Sequence, residues 1–220
     1  MGYGYTDDGY NIRLDSKEFM ECVNYLVNAY NIENIVETGT FDGTGSTKIL
    51  AQTKKPVFTI ECNDALVIRA RNNLGLNKNV IVFHGYSLPW QLMVDYLISY
   101  DAREFEGKCR TDVDEYAQIF YLRELIYNSS PLIKSDLLRV LTNNDRTQLV
   151  FLDSAGGIGE LEVDYFLDNL SAENKANKIL ILDDIQHVKH YNSVNKLKAS
   201  GYTWVDCGRF GYSVLDTKLP

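Results

Sequence analysis

The sequence predicts an α/β domain built on a mostly parallel sheet with helices on both faces. Three observations carry this. Residues 35–61, IVETGTFDGTGSTKILAQTKKPVFTIE, read as strand, glycine turn, helix and second strand. Residues 147–152 (TQLVFL) and 178–182 (KILIL) are continuous apolar runs, as expected of central strands covered on both faces. Helix and strand patterns alternate along the chain and close on a hairpin, 202–207 and 212–215, around Gly208-Arg209-Phe210-Gly211.

In order, residues 1–14 carry Tyr3, Tyr5 and Tyr10 among glycines and aspartates and read as an irregular arm, either a surface tail or a lid. Asp15-Ser16 caps a first helix whose Phe19, Cys22, Val23, Leu26, Val27 and Tyr30 share one face. The arm and this helix occupy residues 1–31, ahead of the first strand. Asn63-Asp64 caps a helix that Gly75 stops, and 79–83 (NVIVF) is a third strand ending at His84-Gly85-Tyr86-Ser87. Residues 88–147 form a long insertion, with helices expected at 92–100, 116–127 and 133–141 and a polar loop between the first two. A helix follows at 160–170 and another at 192–200, stopped by Gly201. With no repeat, low-complexity tract or linker, residues 1–220 read as one domain.

Composition narrows the function classes. The net charge of −8 argues against a general nucleic-acid binder. No apolar run reaches the roughly 18 residues of a membrane span, and the N-terminus lacks the basic and apolar pattern of a signal peptide. Cys22, Cys62, Cys109 and Cys207 are scattered with no C-x-x-C, which suits a reduced, cytoplasmic protein.

The glycine turn carries the main functional signal. Glu37-Thr38-Gly39-Thr40-Phe41-Asp42-Gly43-Thr44-Gly45-Ser46 lacks G-x-G-x-x-G, so the dinucleotide fingerprint is absent. Its glycines let the backbone approach a ligand, and Glu61, closing the second strand, has the chemistry to accept both hydroxyls of a ribose. Carboxylates recur at the other strand ends: Asp153, Asp183 and Asp184. Carboxyl ends of parallel strands open on one side, where ligands bind.

E-x-G-T-F-x-G resembles the class I S-adenosylmethionine (SAM) methyltransferases, most closely the metal-dependent O-methyltransferases of the catechol/caffeoyl and macrocin/sugar types. The resemblance implies a Rossmann-like sheet of seven strands, the last antiparallel, with 88–147 inserted between strands 3 and 4. It implies SAM held by Glu37, Gly39, Thr40, Phe41, Gly43, Ser46, Glu61, Cys62, Ser87 and Asp153. It also implies Mg2+ or a similar divalent cation on Asp153, Asp183 and Asp184, gripping the acceptor hydroxyl. Gly45 stands where the relatives usually have serine or threonine. Gly156 stands where the catechol type has a lysine base, and Ala155 where the sugar type has a second acid. His187 therefore becomes the leading candidate base beside a catalytic Asp153, with His190 behind it.

The expected reaction is methyl transfer to a hydroxyl of a small acceptor, a sugar or phenolic compound. A metal-independent O- or N-methyltransferase and a non-catalytic SAM or nucleotide binder working through 88–147 remain the alternatives. The insertion reads equally as a cap or as a homodimer contact.

Overall fold

The computed structural model describes residues 17–105, 107–109, 115–127, 133–155 and 157–215. The tyrosine-rich arm and Gly156 lie outside them. Helix α1 (Lys17–Ala29) leads into strand β1 (Asn34–Thr38), whose five residues are all buried. Helix α2 (Ser46–Gln52) connects to β2 (Val57–Glu61). Helix α3 (Asp64–Leu74) starts where the Asn63 side chain accepts from the Leu66 N–H, and it leads to β3 (Val80–His84).

The insertion begins with α4 (Trp90–Ser99) and a short 3-10 turn at Ala102–Phe105. Helix α5 (Glu115–Tyr127) follows, then α6 (Leu137–Thr142). The last of these is shorter than its apolar pattern predicts. Lys134 instead forms a single parallel bridge with Gly85, and Asp136 takes a left-handed conformation at φ 63°, which delays the helix start. Strand β4 (Gln148–Leu152), helices α7 (Ile158–Asn169) and α8 (Ala172–Ala176), and strand β5 (Lys178–Leu182) come next. Helix α9 (Ser193–Ala199) precedes the closing hairpin of β6 (Tyr202–Asp206) and β7 (Gly211–Leu215).

The strands form one sheet in the order β3-β2-β1-β4-β5-β7-β6. The pairings β3-β2, β2-β1, β1-β4 and β4-β5 are parallel, and β7 pairs antiparallel with both β5 and β6. The strand order reverses between β1 and β4, which opens a crevice at their carboxyl ends.

Strand alternation splits the core in two. Val36, Val150, Leu152, Leu180 and Leu182 face a layer that includes Leu97 of α4, Phe166 of α7 and Leu197 of α9. Ile35, Leu149, Phe151, Ile179 and Ile181 face Phe19 and Val23 of α1 and Leu50 of α2. Because both faces are covered, these strands carry no polar alternation, which is why they read as unbroken apolar runs. Among the described residues no helix is long and apolar enough to cross a membrane.

Candidate active site

The turn after β1 is shaped by positions that need a left-handed backbone. Gly39 has φ +78°, and a Cβ there would lie 2.4 Å from the Asp153 carbonyl oxygen. Glycine is therefore required twice over, by conformation and by the close approach of the loop after β4. Gly43, at φ +74°, fits against Leu74 of α3. Phe41 is left-handed without being glycine, at φ 53°, and its ring is half exposed.

Two acids hold this turn. Fully buried Glu37 accepts from Ser46 Oγ at 2.6 Å, Thr47 Oγ1 at 2.7 Å and Thr59 Oγ1 at 2.6 Å. Glu37 and Ser46, both expected on the cofactor, thus bond each other inside the protein and fix the start of α2 against β2. Burial pushes the Glu37 carboxyl up and the three hydroxyls pull it back. Glu61 accepts from the Phe41 N–H at 2.8 Å and the Asn63 N–H at 2.9 Å, linking the turn to the start of α3. Burial raises its carboxyl to about 7 despite those two donors. Thr40 is buried with its hydroxyl on Thr59, and burial holds the Cys62 thiol well above its usual range.

A third acid was invisible from the strand ends. Glu162, fully buried on α7, accepts from Thr38 Oγ1 at 2.9 Å and Ser154 Oγ at 2.6 Å. The Ser87 hydroxyl bonds the same carboxylate, so one side chain ties together the ends of β1, β3 and β4. Its signal lay in the helix pattern: Glu162 falls between Ile158 and Phe166 on the buried stripe of α7.

Asp153, Asp183 and Asp184 converge as predicted, but they converge on two cations. Lys189 Nζ lies 2.6 Å from Asp153 Oδ1 and 3.6 Å from Asp184 Oδ2. Arg209 bonds both oxygens of Asp183, Nε at 3.0 Å and Nη2 at 2.8 Å, and its Nε lies 3.0 Å from Asp184 Oδ1. Burial opposes the Lys189 ammonium, but the three carboxylates outweigh it and keep Lys189 charged. Burial and the neighbouring aspartates push the Asp153 carboxyl up, while Lys189 restrains it.

No family model matches the chain, and no curated protein matches it in sequence. Solved structures do. A Staphylococcus aureus protein provisionally named caffeoyl-CoA O-methyltransferase superposes with a TM-score of 0.55 at 15% identity, covering 92% of this chain and 85% of its own. A Bacillus cereus O-methyltransferase solved with S-adenosylhomocysteine gives 0.50 at 16% identity, over 93% and 84%. A cofactor-bound protein of MTB gives 0.52 at 15% identity, over 94% and 84%. The chain has the class I SAM-dependent methyltransferase fold.

The sequence resemblance expects SAM in the crevice beside Gly39, and the residues there have the chemistry to take one. Gly39 holds the turn tight against the backbone after β4, and Glu61 stands across the turn with its carboxylate oriented by backbone N–H groups. The aspartate cluster does not fit a divalent cation in the same way. Each of its carboxylates is already engaged by Lys189 or Arg209, and no group of three His, Cys, Asp or Glu among the described residues is arranged to hold a metal. A cation would have to displace an ammonium and a guanidinium that already balance the cluster.

The two histidines that follow β5 are both buried. His190 is fully buried, with Nδ1 3.1 Å from Ser193 Oγ and Nε2 3.2 Å from the Leu152 carbonyl. Burial and Lys189 hold it neutral, well below the usual histidine range. His187 is buried in the turn after β5, its Nδ1 accepting from the Lys189 N–H at 3.3 Å. The same segment also delivers Lys189, which the sequence reading did not single out, to Asp153. His84 sits 3.2 Å from the Cys62 carbonyl.

The insertion docks on this end of the sheet. Tyr86 Oη donates to the Leu125 carbonyl at 3.0 Å and Trp90 Nε1 to the same oxygen at 3.2 Å. Asn63 Nδ2 donates to Glu124 at 2.9 Å, next to Glu61. Tyr96, Tyr100 and Phe105 form a chain of ring contacts that ends edge-on against Tyr191, 5.9 Å away. Gly157 is small because a Cβ there would lie 2.9 Å from the rings of both Tyr96 and Tyr100.

Proposed function

We propose that this protein is a SAM-dependent methyltransferase acting on a hydroxyl of a small acceptor. One observation supports the reading: the Gly39 backbone packs against the Asp153 carbonyl, so the glycine turn and the Asp153 carboxylate lie side by side. When bound, SAM supplies an electrophilic methyl group on a sulfonium. Gly39 keeps the turn close to Asp153, and Glu61 receives the ribose hydroxyls. Asp153 accepts the proton of the acceptor hydroxyl through the oxygen that Lys189 does not hold. Asp153 must be ionised to act as a base, and the Lys189 ammonium 2.6 Å away favours that form against burial. Positioning supplies the remainder of the rate.

The divalent-cation version of this reading is disfavoured by the donor set. Lys189 and Arg209 already supply the positive charge that three crowded carboxylates require. The insertion 88–147 then acts as a cap over the crevice, a role supported by the anchoring of Leu125 on Tyr86 and Trp90. Calorimetry with SAM and S-adenosylhomocysteine, followed by mass spectrometry over a panel of hydroxylated acceptors, tests the proposal. Absence of binding to either cofactor form sinks it. Binding without turnover on any acceptor leaves a cofactor-binding protein in its place.

A further inference from the structure

The four cysteines are scattered along the sequence, yet folding brings two of them together. Cys22 lies on α1 three residues after Phe19, so the two side chains share one face of the helix. Cys207 lies at the tip of the closing hairpin, where its N–H donates to the Phe210 carbonyl at 2.9 Å. The Phe19 and Phe210 rings meet edge to face, their centroids 5.3 Å apart. That contact seats the hairpin tip on α1 and sets the two cysteines side by side, with the Cys22 thiol hydrogen-bonded to the Cys207 sulfur. The same tip delivers Arg209 to Asp183.

The two sulfurs differ in access. Cys207 is exposed, whereas Cys22 is half-buried against the core layer of α1. Burial pushes the Cys22 thiol up to about 12, so it stays protonated and acts as the donor. Burial raises Cys207 as well, but the hydrogen bond from Cys22 draws it back. Cys207 is therefore the thiol that ionises first and meets an oxidant first, with Cys22 behind it as the resolving partner. The other two cysteines have different surroundings: Cys62 lies beside Glu61 and Glu124, and Cys109 is weighed on by Glu160.

We propose that Cys22 and Cys207 are a redox-sensitive pair that closes to a disulfide and clasps the hairpin tip to α1. Hydrogen peroxide serves as the oxidant. The Cys207 thiolate attacks one peroxide oxygen; the S–O bond forms, the O–O bond breaks, and the departing hydroxide takes a proton to leave as water. The Cys22 sulfur then attacks the Cys207 sulfur of the sulfenic acid; the S–S bond forms, the S–O bond breaks, and the released hydroxide takes the Cys22 proton as a second water. Two thiols lose two electrons in all, and one peroxide gains them.

The test treats the full chain with hydrogen peroxide at about pH 8.5, where more of the thiol is ionised. Thiols counted after unfolding should fall from four to two, and peptide mass spectrometry should find Cys22 joined to Cys207 within one chain. Dithiothreitol should restore all four. Cys22→Ser should leave a sulfenic acid on Cys207 that dimedone captures, an adduct the natural protein does not accumulate. The oxidised protein should unfold several degrees above the reduced one, because the bond ties residues far apart in sequence. Four thiols surviving peroxide, Cys207 oxidised while Cys22 remains free to alkylate, or a bond between two chains each overturns the pair. An unchanged thermal midpoint on oxidation overturns the clasp.

Discussion

Lys189 reaches back across 36 residues to place its ammonium 2.6 Å from Asp153, joining the turn after β5 to the end of β4 beside the crevice where the strand order reverses. Both side chains are largely buried, the lysine 7% exposed and the aspartate 20%. Removing one member of such a pair strands the other. Lys189→Met should lower unfolding stability by about 3 kcal/mol, and Asp153→Asn/Lys189→Met should recover part of that loss. Urea denaturation of the two single variants and the double variant completes the cycle. Strictly additive losses would mean the contact contributes nothing specific.

Asp153→Asn separates chemistry from cofactor binding. The amide cannot take the acceptor proton, so the transfer rate should fall by about a hundredfold to ten-thousandfold. Affinity for S-adenosylhomocysteine should stay within a few-fold, because the turn is held mainly by Glu37 and Glu61. Parallel loss of both would assign Asp153 to cofactor binding alone.

Chelation addresses the cation directly. The three aspartates already share Lys189 and Arg209, so EDTA should leave the transfer rate unchanged and a Mg2+ titration should give no specific heat. A rate that collapses in EDTA and returns with Mg2+ would mean that the ion pairs open to admit a metal and that the aspartates serve as its ligands.

Gly39→Ala combines two penalties. Alanine at φ +78° is strained by about 1 kcal/mol, and its Cβ would press on the Asp153 carbonyl 2.4 Å away. Since both neighbours are backbone, the turn itself must shift. We expect S-adenosylhomocysteine affinity to drop at least about tenfold, with a smaller loss of overall stability. Calorimetry beside thermal unfolding distinguishes a lost site from a lost fold.

Much of this arrangement was legible in the sequence, for identifiable physical reasons. β4 and β5 are buried on both faces and therefore appear as unbroken apolar runs, and the glycine turn is written in residues that few other conformations demand. The convergence of the aspartates followed from parallel strands opening on one side. What neutralises them did not follow, because Lys189 and Arg209 come from a turn and a hairpin tip whose path only tertiary packing decides. Spacing after Asp184 drew attention to His187 as a candidate base, and gave no sign that Lys189, two residues further on, reaches Asp153. Glu162 stayed hidden because an acid on a helix reads as solvated until its neighbours on the stripe are seen to be buried.

Glu162 provides the clearest pH signature. Burial lifts its carboxyl from 4.5 to about 7, against the pull of the Ser154, Ser87 and Thr38 hydroxyls. Between about pH 5 and pH 7 the folded protein therefore holds a proton that the unfolded chain has released, so this group's contribution to stability falls as pH rises. It is fully present below the unfolded value and lost as pH passes through the folded one. Buried neutral His190 acts in the opposite sense, losing stability as pH falls, but that effect is common to both proteins in a comparison with Glu162→Gln. The amide does not titrate. The stability of the natural protein relative to Glu162→Gln should therefore decline from about pH 5 to about pH 8, by up to about 3 kcal/mol. Urea midpoints across that range measure it. A difference independent of pH would place Glu162 in the ionised state throughout and make its three hydroxyl donors, rather than burial, the dominant influence on its charge.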